Sequence, residues 1–149
     1  ESGVVPPAPV VGAAVLSAPD SIEESGSRVA LDSAPVNGDG LWSSENNGFN
    51  LKGTCRVTGR VAVSSSHLAA GDLIRAAIYV AGSAALRGAW SPVATVGSAR
   101  VGTADVFGVI SAGSGSLTQL YLEWQSANSV TDLTAGTESC LEFVQLAPP

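Results

Sequence analysis

Basic side chains are scarce in this sequence of 149 residues. Seven Lys and Arg residues stand against thirteen Asp and Glu residues, which gives a formal net charge of −6 at pH 7. Proteins that bind nucleic acid concentrate basic side chains in order to neutralise phosphates. The scarcity of Lys and Arg therefore argues against a nucleic-acid partner.

Long apolar runs are also missing. No run approaches the roughly 18 residues that a membrane-spanning helix needs, so we expect no membrane span. The beginning of the chain, ESGVVPPAPVV, lacks the basic first part and the apolar core of a signal peptide. Met is absent as well, which fits either removal of the initiator or a fragment that begins after a processing site.

Side chains that carry catalytic or metal-binding chemistry are few. The chain has one histidine, His67, and two cysteines, Cys55 and Cys140, without CxxC spacing. Because zinc sites draw on several Cys and His ligands, we predict no metal site and no cofactor. His67 follows three serines and precedes Asp72, but all of them fall in one loop without the sharp turn that presents a catalytic serine. We therefore predict that the protein is not an enzyme.

The composition indicates a surface with little charge. Charged residues make up 13% of the chain and hydrophobic residues 45%, whereas charged residues are about a quarter of an ordinary globular protein. Much of the surface must then be uncharged. Such a surface suits a subunit that buries its faces against copies of itself or against a larger assembly.

Residues 1–27 differ in composition and periodicity from the rest of the chain. They contain four of the eight prolines and show no sustained period of 2 or 3.6 residues. Proline fixes φ and removes a hydrogen-bond donor, which favours an extended conformation over a helix or a central strand. We predict an extended N-terminal arm over residues 1–27 and one folded domain over residues 28–149.

From residue 28 onward the pattern is that of β-strands. In TCRVTGRVAV (54–63), Cys55 and the alternate residues up to Val63 share one face, and the polar residues share the other, as in a half-buried strand. Similar runs follow, separated by loops of Gly, Ser and Asn. Evenly spaced short strands predict an all-β fold, a jelly-roll sandwich of two antiparallel sheets.

Two turns share one sequence pattern. AAGDLIRAAIYV (69–80) and AGSGSLTQLYLEW (112–124) each place glycines before a strand-like run. Glycine tolerates φ values that a Cβ penalises, and Asp72 or Ser116 can bond to nearby backbone as the chain enters the strand. We predict that both segments are corners that lead into strands.

Four segments resemble, in order and spacing, the C1q and TNF-like jelly-roll superfamily: LKGTCRVTGRVAV, LAAGDLIRAAIYVAGS, VFGVISAGSGSLTQLYLEW and SCLEFVQLA. The resemblance covers roughly residues 28–147. It implies a homotrimer in which the sheet with the first strand, the last strand and TCRVTGRVAV faces the three-fold axis. Domains of this superfamily serve as cytokines, complement heads, spore-surface tips and phage virion components, so the fold does not imply one function.

The resemblance also implies which side chains approach the trimer axis. The candidates are Arg56, Thr58 and Arg60, with Glu142 on the last strand able to neutralise the two arginines. A buried charge without a partner would be costly, so this pairing or trapped water is required. Cys55 is expected to point into the sandwich and Cys140 toward the axis, and side chains on opposite sheet faces cannot form a disulfide.

The arm, the richness in Ala, Val, Gly and Ser and the absence of a collagen repeat look most like a phage head-decoration or fibre-type protein. We therefore expect a trimeric virion protein on the capsid surface, anchored to the major capsid protein or another virion subunit. The candidate anchor residues are Val4, Val5, Pro6, Pro7, Val10, Val11, Val15 and Leu16. The alternative is an extracellular or cell-surface head domain that binds a host-surface glycan, with Trp90 in RGAWSP as the ligand contact.

Overall fold

The computed structural model describes residues 8–149. These residues form a sandwich of two antiparallel β-sheets, as the alternating pattern predicts, and their one helical element is a 3₁₀ turn at Gly38–Gly40. No helix within this range is long and apolar enough to cross a membrane.

Sheet A has eight strands, in the order β11-β12-β7-β15-β1-β4, with β14 paired to β7 and β2 paired to β14. The strands are β1 (Val11–Val15), β2 (Asp20–Ser21), β4 (Ser33–Asn37), β7 (Thr54–Ser65), β11 (Ala94–Val96), β12 (Ala99–Ser111), β14 (Thr134–Ala135) and β15 (Cys140–Ala147). The first strand, the last strand and TCRVTGRVAV are thus neighbours in one sheet.

Sheet B has seven strands, in the order β10-β8-β13-β6-β5, with β3 paired to β13 and β9 paired to β8. The strands are β3 (Ser27–Arg28), β5 (Trp42–Ser43), β6 (Gly48–Leu51), β8 (Leu73–Val80), β9 (Ser83–Arg87), β10 (Ser91–Pro92) and β13 (Ser116–Gln125).

The core fills the space between the sheets and follows from the period of the strands. On β7 the odd-numbered residues from Cys55 to Ser65 are buried and the even-numbered ones face outward, as predicted. Phe143 of sheet A packs edge-to-face on Phe49 of sheet B with ring centroids 4.9 Å apart. Gly12 permits this contact, because a Cβ there would lie 2.3 Å from a Phe143 ring carbon. Each buried Phe contributes about 1.5–3 kcal/mol.

Both predicted corners are present. Gly71 has φ 87° and Gly113 has φ 58°, values that favour glycine. The amide of Ala69 donates to the Asp72 carboxylate at 2.8 Å, and the Ser116 hydroxyl donates to the carbonyl of Ala112 at 3.0 Å. The side chains therefore hold the two turns as expected, and β8 and β13 begin there.

The predicted arm boundary at residue 27 is wrong. Strand β1 lies inside sheet A between β15 and β4, and Leu16 and Ile22 are buried in the core at 4% and 3% exposure. The physical reason is that Pro9 and Pro19 bracket a segment free of proline, so every amide of that segment can join a ladder. The sandwich therefore takes in residues that composition alone assigned to the arm.

Candidate functional site

The outward surface of β12, β7, β15 and β1 forms one continuous patch, which we call the sheet A face. Residues that pair across neighbouring strands share a face of the sheet. Two rows of paired residues cross the centre of this patch: Val109, Arg56, Val144 and Val11 in the first, and Phe107, Thr58, Glu142 and Ala13 in the second.

The sheet A face is unusually apolar for a surface. Phe107 is 77% exposed and Val109 is 56% exposed, both on β12. Leu146 of β15 is 51% exposed, and Val11 and Val36 add 37% and 43% at the β1 and β4 side. Of the six large hydrophobic residues that are exposed in residues 8–149, Val96 alone lies away from this cluster, on edge strand β11. Apolar side chains gathered in this way mark a protein-interaction surface.

The charged pair on this face differs from the expected one. Arg60 donates to Asp105 of β12 at 2.7 Å, and this hydrogen bond raises the pKa of the guanidinium. Glu142 pairs with Thr58 across the strands and is not the ion-pair partner of Arg60. The expectation that Glu142 neutralises the arginines is therefore wrong for Arg60, because β12 is the other neighbour of β7 and supplies a carboxylate directly opposite.

On β12, the residues of this face that were not singled out from the sequence are Asp105, Phe107 and Val109. The sequence does contain a pattern that relates these residues, because alternate positions of ADVFGVIS (104–111) lie on one side of a strand. They could have been singled out as exposed only once the position of β12 beside β7 was known.

The two cysteines lie on neighbouring strands but on opposite faces. Cys55 is buried in the core at 1% exposure, whereas Cys140 pairs with Arg60 and is half-buried on the outward side. Both thiols are free, and burial raises the pKa of each. The predicted face of each cysteine is confirmed.

A groove of about 560 Å³ adjoins the sheet A face where β14 replaces β15 beside β7. Pro19, Ala62, Thr103 and Glu138 are among the residues that line it, and Arg60 lies at its side. The groove thus extends the apolar patch toward β2.

The single histidine belongs to a structural cluster rather than to a Ser-His-Asp triad. His67 Nδ1 lies 2.7 Å from Asp132 Oδ1, so Asp132 and not Asp72 is its carboxylate neighbour. The hydroxyls of Ser65 and Ser66 both donate to Asp132, which holds the pKa of that carboxyl well below its usual range. In a triad the serine bonds to the histidine instead. The cluster therefore ties the loop after β7 to the chain before β14.

Trp90, the candidate ligand contact, is half-buried. The Arg75 guanidinium carbon lies 4.1 Å from the centre of its ring, and Arg75 in turn bonds to Glu123 at 2.6 Å. One face of Trp90 is thus occupied by a cation within the same chain. Any ligand contact of Trp90 would therefore be shared with Arg75, which covers one face of the ring.

The candidate anchor residues divide into four groups. Val4, Val5, Pro6 and Pro7 lie outside the described residues. Val10 is half-buried, and its carbonyl accepts a hydrogen bond from the Gln145 amide at 2.8 Å. Val11 and Val15 point outward on the sheet A face, whereas Leu16 is buried and does not face a partner.

No protein-family model matches the chain, and no curated protein resembles it at a significant level. Within residues 8–149 there is no group of three or more His, Cys, Asp or Glu side chains that could hold a metal ion.

Proposed function

We propose that this protein is a structural virion protein that forms a homotrimer through the sheet A face and decorates a capsid. The observation that carries the proposal is the group of exposed apolar side chains on this face, with Phe107 of β12 77% exposed at one end of its row. Burying one Phe side chain contributes about 1.5–3 kcal/mol, so three copies that bury it together gain a large part of the free energy that a stable assembly needs.

The charges on the face are compatible with its burial in a trimer. Arg60 and Asp105 neutralise each other within one chain, so this pair can enter an interface without a new partner. Arg56 and Glu142 lie in adjacent rows of the face, on strands that would approach the axis. Because an unpaired buried charge is costly, we expect Arg56 of one copy to meet Glu142 of a second copy or a trapped water.

Attachment to the capsid is assigned to the residues that precede β1. Val10 is already bonded to β15, so the anchor comprises residues 1–9. A trimer would carry three such segments, and three weak attachments on adjacent capsid subunits give strong retention through effective concentration. Apolar residues next to prolines suit addition to a strand edge or docking in a groove of the capsid protein.

The test compares the full chain with a variant that lacks residues 1–8, which leaves Val10 and all strands intact. Both are added to capsid shells from which the protein has been stripped, and occupancy is measured by cryo-electron microscopy. We expect the full chain to decorate the shells and the shortened trimer to bind at less than a tenth of that occupancy. Equal occupancy of the two proteins would refute the anchor, and a full chain that never decorates the shells would refute the virion function.

A further inference from the structure

The outward side of sheet B carries a second cluster, formed by side chains of β3, β8, β9 and β13, which we call the sheet B face. Arg28, Tyr121, Ala77 and Arg87 pair in register across four strands and therefore form one row. Three interstrand steps of about 4.8 Å place the Cα atoms of the two arginines about 14 Å apart. A cationic side chain thus stands at each end of a short row with a tyrosine inside it.

Both tyrosines of the chain lie on this face and stack on each other. Tyr79 and Tyr121 have ring centroids 3.8 Å apart and an interplanar angle of 8°. Ala77, between them and Arg87 on the sheet, is 0% exposed, so the surrounding side chains cover the strand. The accessible surface is consequently made of aromatic rings and guanidinium groups rather than of backbone.

Positive charge exceeds negative charge on the sheet B face, although the chain as a whole is acidic. The outward positions of its strands carry three arginines and one carboxylate. Glu123 lies 2.6 Å from Arg75 and 3.5 Å from Arg87. The side chain of Arg87 is 50% exposed, and Arg28 takes part in none of the ion pairs of residues 8–149. Arg28 and Arg87 are therefore available to an anionic ligand.

Arg75 has a different part in this arrangement. Its side chain is 23% exposed and is held between Glu123 and the ring of Trp90. This contact fixes Trp90 beside the row, so a third aromatic ring borders the surface. Arg75 is accordingly a positioning residue, and the ligand-facing groups are the two outer arginines and the rings.

We propose that the sheet B face binds an acidic carbohydrate, a short chain of sugars that carry carboxylates. Guanidinium groups recognise carboxylates through paired, charge-assisted hydrogen bonds, and aromatic rings offer an apolar surface to one side of a sugar ring. A peptide cannot add here as a strand, because β8 and β13 are paired on both sides. Two exposed arginines are too few for the phosphate neutralisation on which nucleic-acid binding depends.

This binding surface does not depend on the proposed trimer. The sheet B face is carried by the other sheet, so trimer formation through the sheet A face would leave Arg28 and the two tyrosines open. Arg87 lines a groove with Asp105 and Phe107 at the edge of the sandwich, so this arginine would lie beside the trimer interface. The three sheet B faces of the trimer would then be directed away from the axis. A polymeric glycan could bind to more than one of these faces. The affinity of one face for a short oligosaccharide is the quantity that tests the inference.

The probe is trigalacturonic acid, titrated into the full chain by isothermal calorimetry at low ionic strength. Its methyl ester, which has the same rings without the charges, is the matched ligand. We expect the acid to bind at least tenfold more tightly than the ester, and Arg28→Ala and Arg87→Ala each to weaken binding at least tenfold. Lys52→Ala removes an exposed positive charge elsewhere and should change the affinity less than twofold.

The contribution of the rings is tested separately with Tyr121→Phe and Tyr121→Leu, each checked for folding by thermal unfolding. The phenylalanine variant should bind within threefold of the parent chain and the leucine variant at least tenfold more weakly. Equal affinity for acid and ester, full competition by an equal concentration of sulfate, or absence of binding at 5 mM acid would overturn the proposal. Equal losses in Arg28→Ala and Lys52→Ala would also overturn it.

Discussion

The exposed ring of Phe107 provides the sharpest test of the proposed trimer. In a single chain this side chain is 77% exposed, so Phe107→Ala should change the free energy of unfolding of the isolated chain by no more than about 0.5 kcal/mol. In a trimer the ring would be buried, and its loss would cost about 2 kcal/mol per copy. Three copies then lose about 6 kcal/mol, which corresponds to about a 10⁴-fold smaller association constant.

Sedimentation of fluorescently labelled protein over a range of concentrations measures this effect. The midpoint concentration of a monomer–trimer equilibrium varies with the inverse square root of the association constant, so the midpoint should rise about 100-fold in Phe107→Ala. An unchanged midpoint in the variant, or a parent chain that remains a monomer at micromolar concentration, would refute the assignment of the sheet A face.

A matched pair of variants separates this face from general surface hydrophobicity. Val109→Ala removes the same atoms as Val96→Ala, and the two valines are 56% and 60% exposed. Val109 lies on β12 within the sheet A face, in the same row as Arg56, and Val96 lies on edge strand β11. We expect Val109→Ala to raise the midpoint concentration and Val96→Ala to leave it unchanged. Equal shifts would show that the location of the valine is irrelevant.

Three further outcomes are expected. Gly59→Ala should lower the free energy of unfolding in urea by about 1–3 kcal/mol, because its Cβ would lie 2.7 Å from Leu120 Cδ1; an unchanged value would show that the core relaxes. Hydrogen bonds from two serine hydroxyls lower the pKa of Asp132, so its stabilisation is present above the ordinary value of 3.8 and is lost as the pH falls toward the folded-state value. Asp132→Asn should therefore lower the melting temperature at pH 7 and flatten its decline in acid, and parallel melting curves would contradict this. Cys55 and Cys140 should both titrate as thiols in denaturant without reductant, and the absence of titratable thiol would indicate a disulfide.

Alternation along each strand could be read from the sequence because it is a local property. The side chains of a strand point alternately to its two faces, so the pattern of TCRVTGRVAV alone separates Cys55 from Arg56. The same reasoning places Asp72 and Ser116 at the corners, because turn residues act on backbone groups only a few positions away. The all-β class and the inward face of β7 follow from these short-range rules, whereas the orientation of Cys140 was an expectation from the resemblance to the C1q and TNF-like superfamily.

Local composition misled the prediction where a strand finds its partners far along the chain. The segment APVNGDG (34–40) contains Pro, Asn and Gly, which are common in turns, yet only Gly38–Gly40 forms a turn and the preceding residues continue edge strand β4 to Asn37. Strand β1 likewise looked like part of an arm, but its partner β15 lies at the other end of the chain. The local sequence of neither strand indicates which distant strand it pairs with.

The sequence by itself determined the predominance of β-strands, the inward and outward side of β7 and the chemistry of the two corner turns, because each depends on neighbours within a few residues. Only the tertiary structure decided that Arg60 bonds to Asp105 and His67 to Asp132, and that the apolar side chains of β12, β15 and β1 meet on one surface. The two polar contacts join residues more than forty positions apart. They exist because the order of strands in the sheet brings them together, and strand order is set by the packing of the whole core.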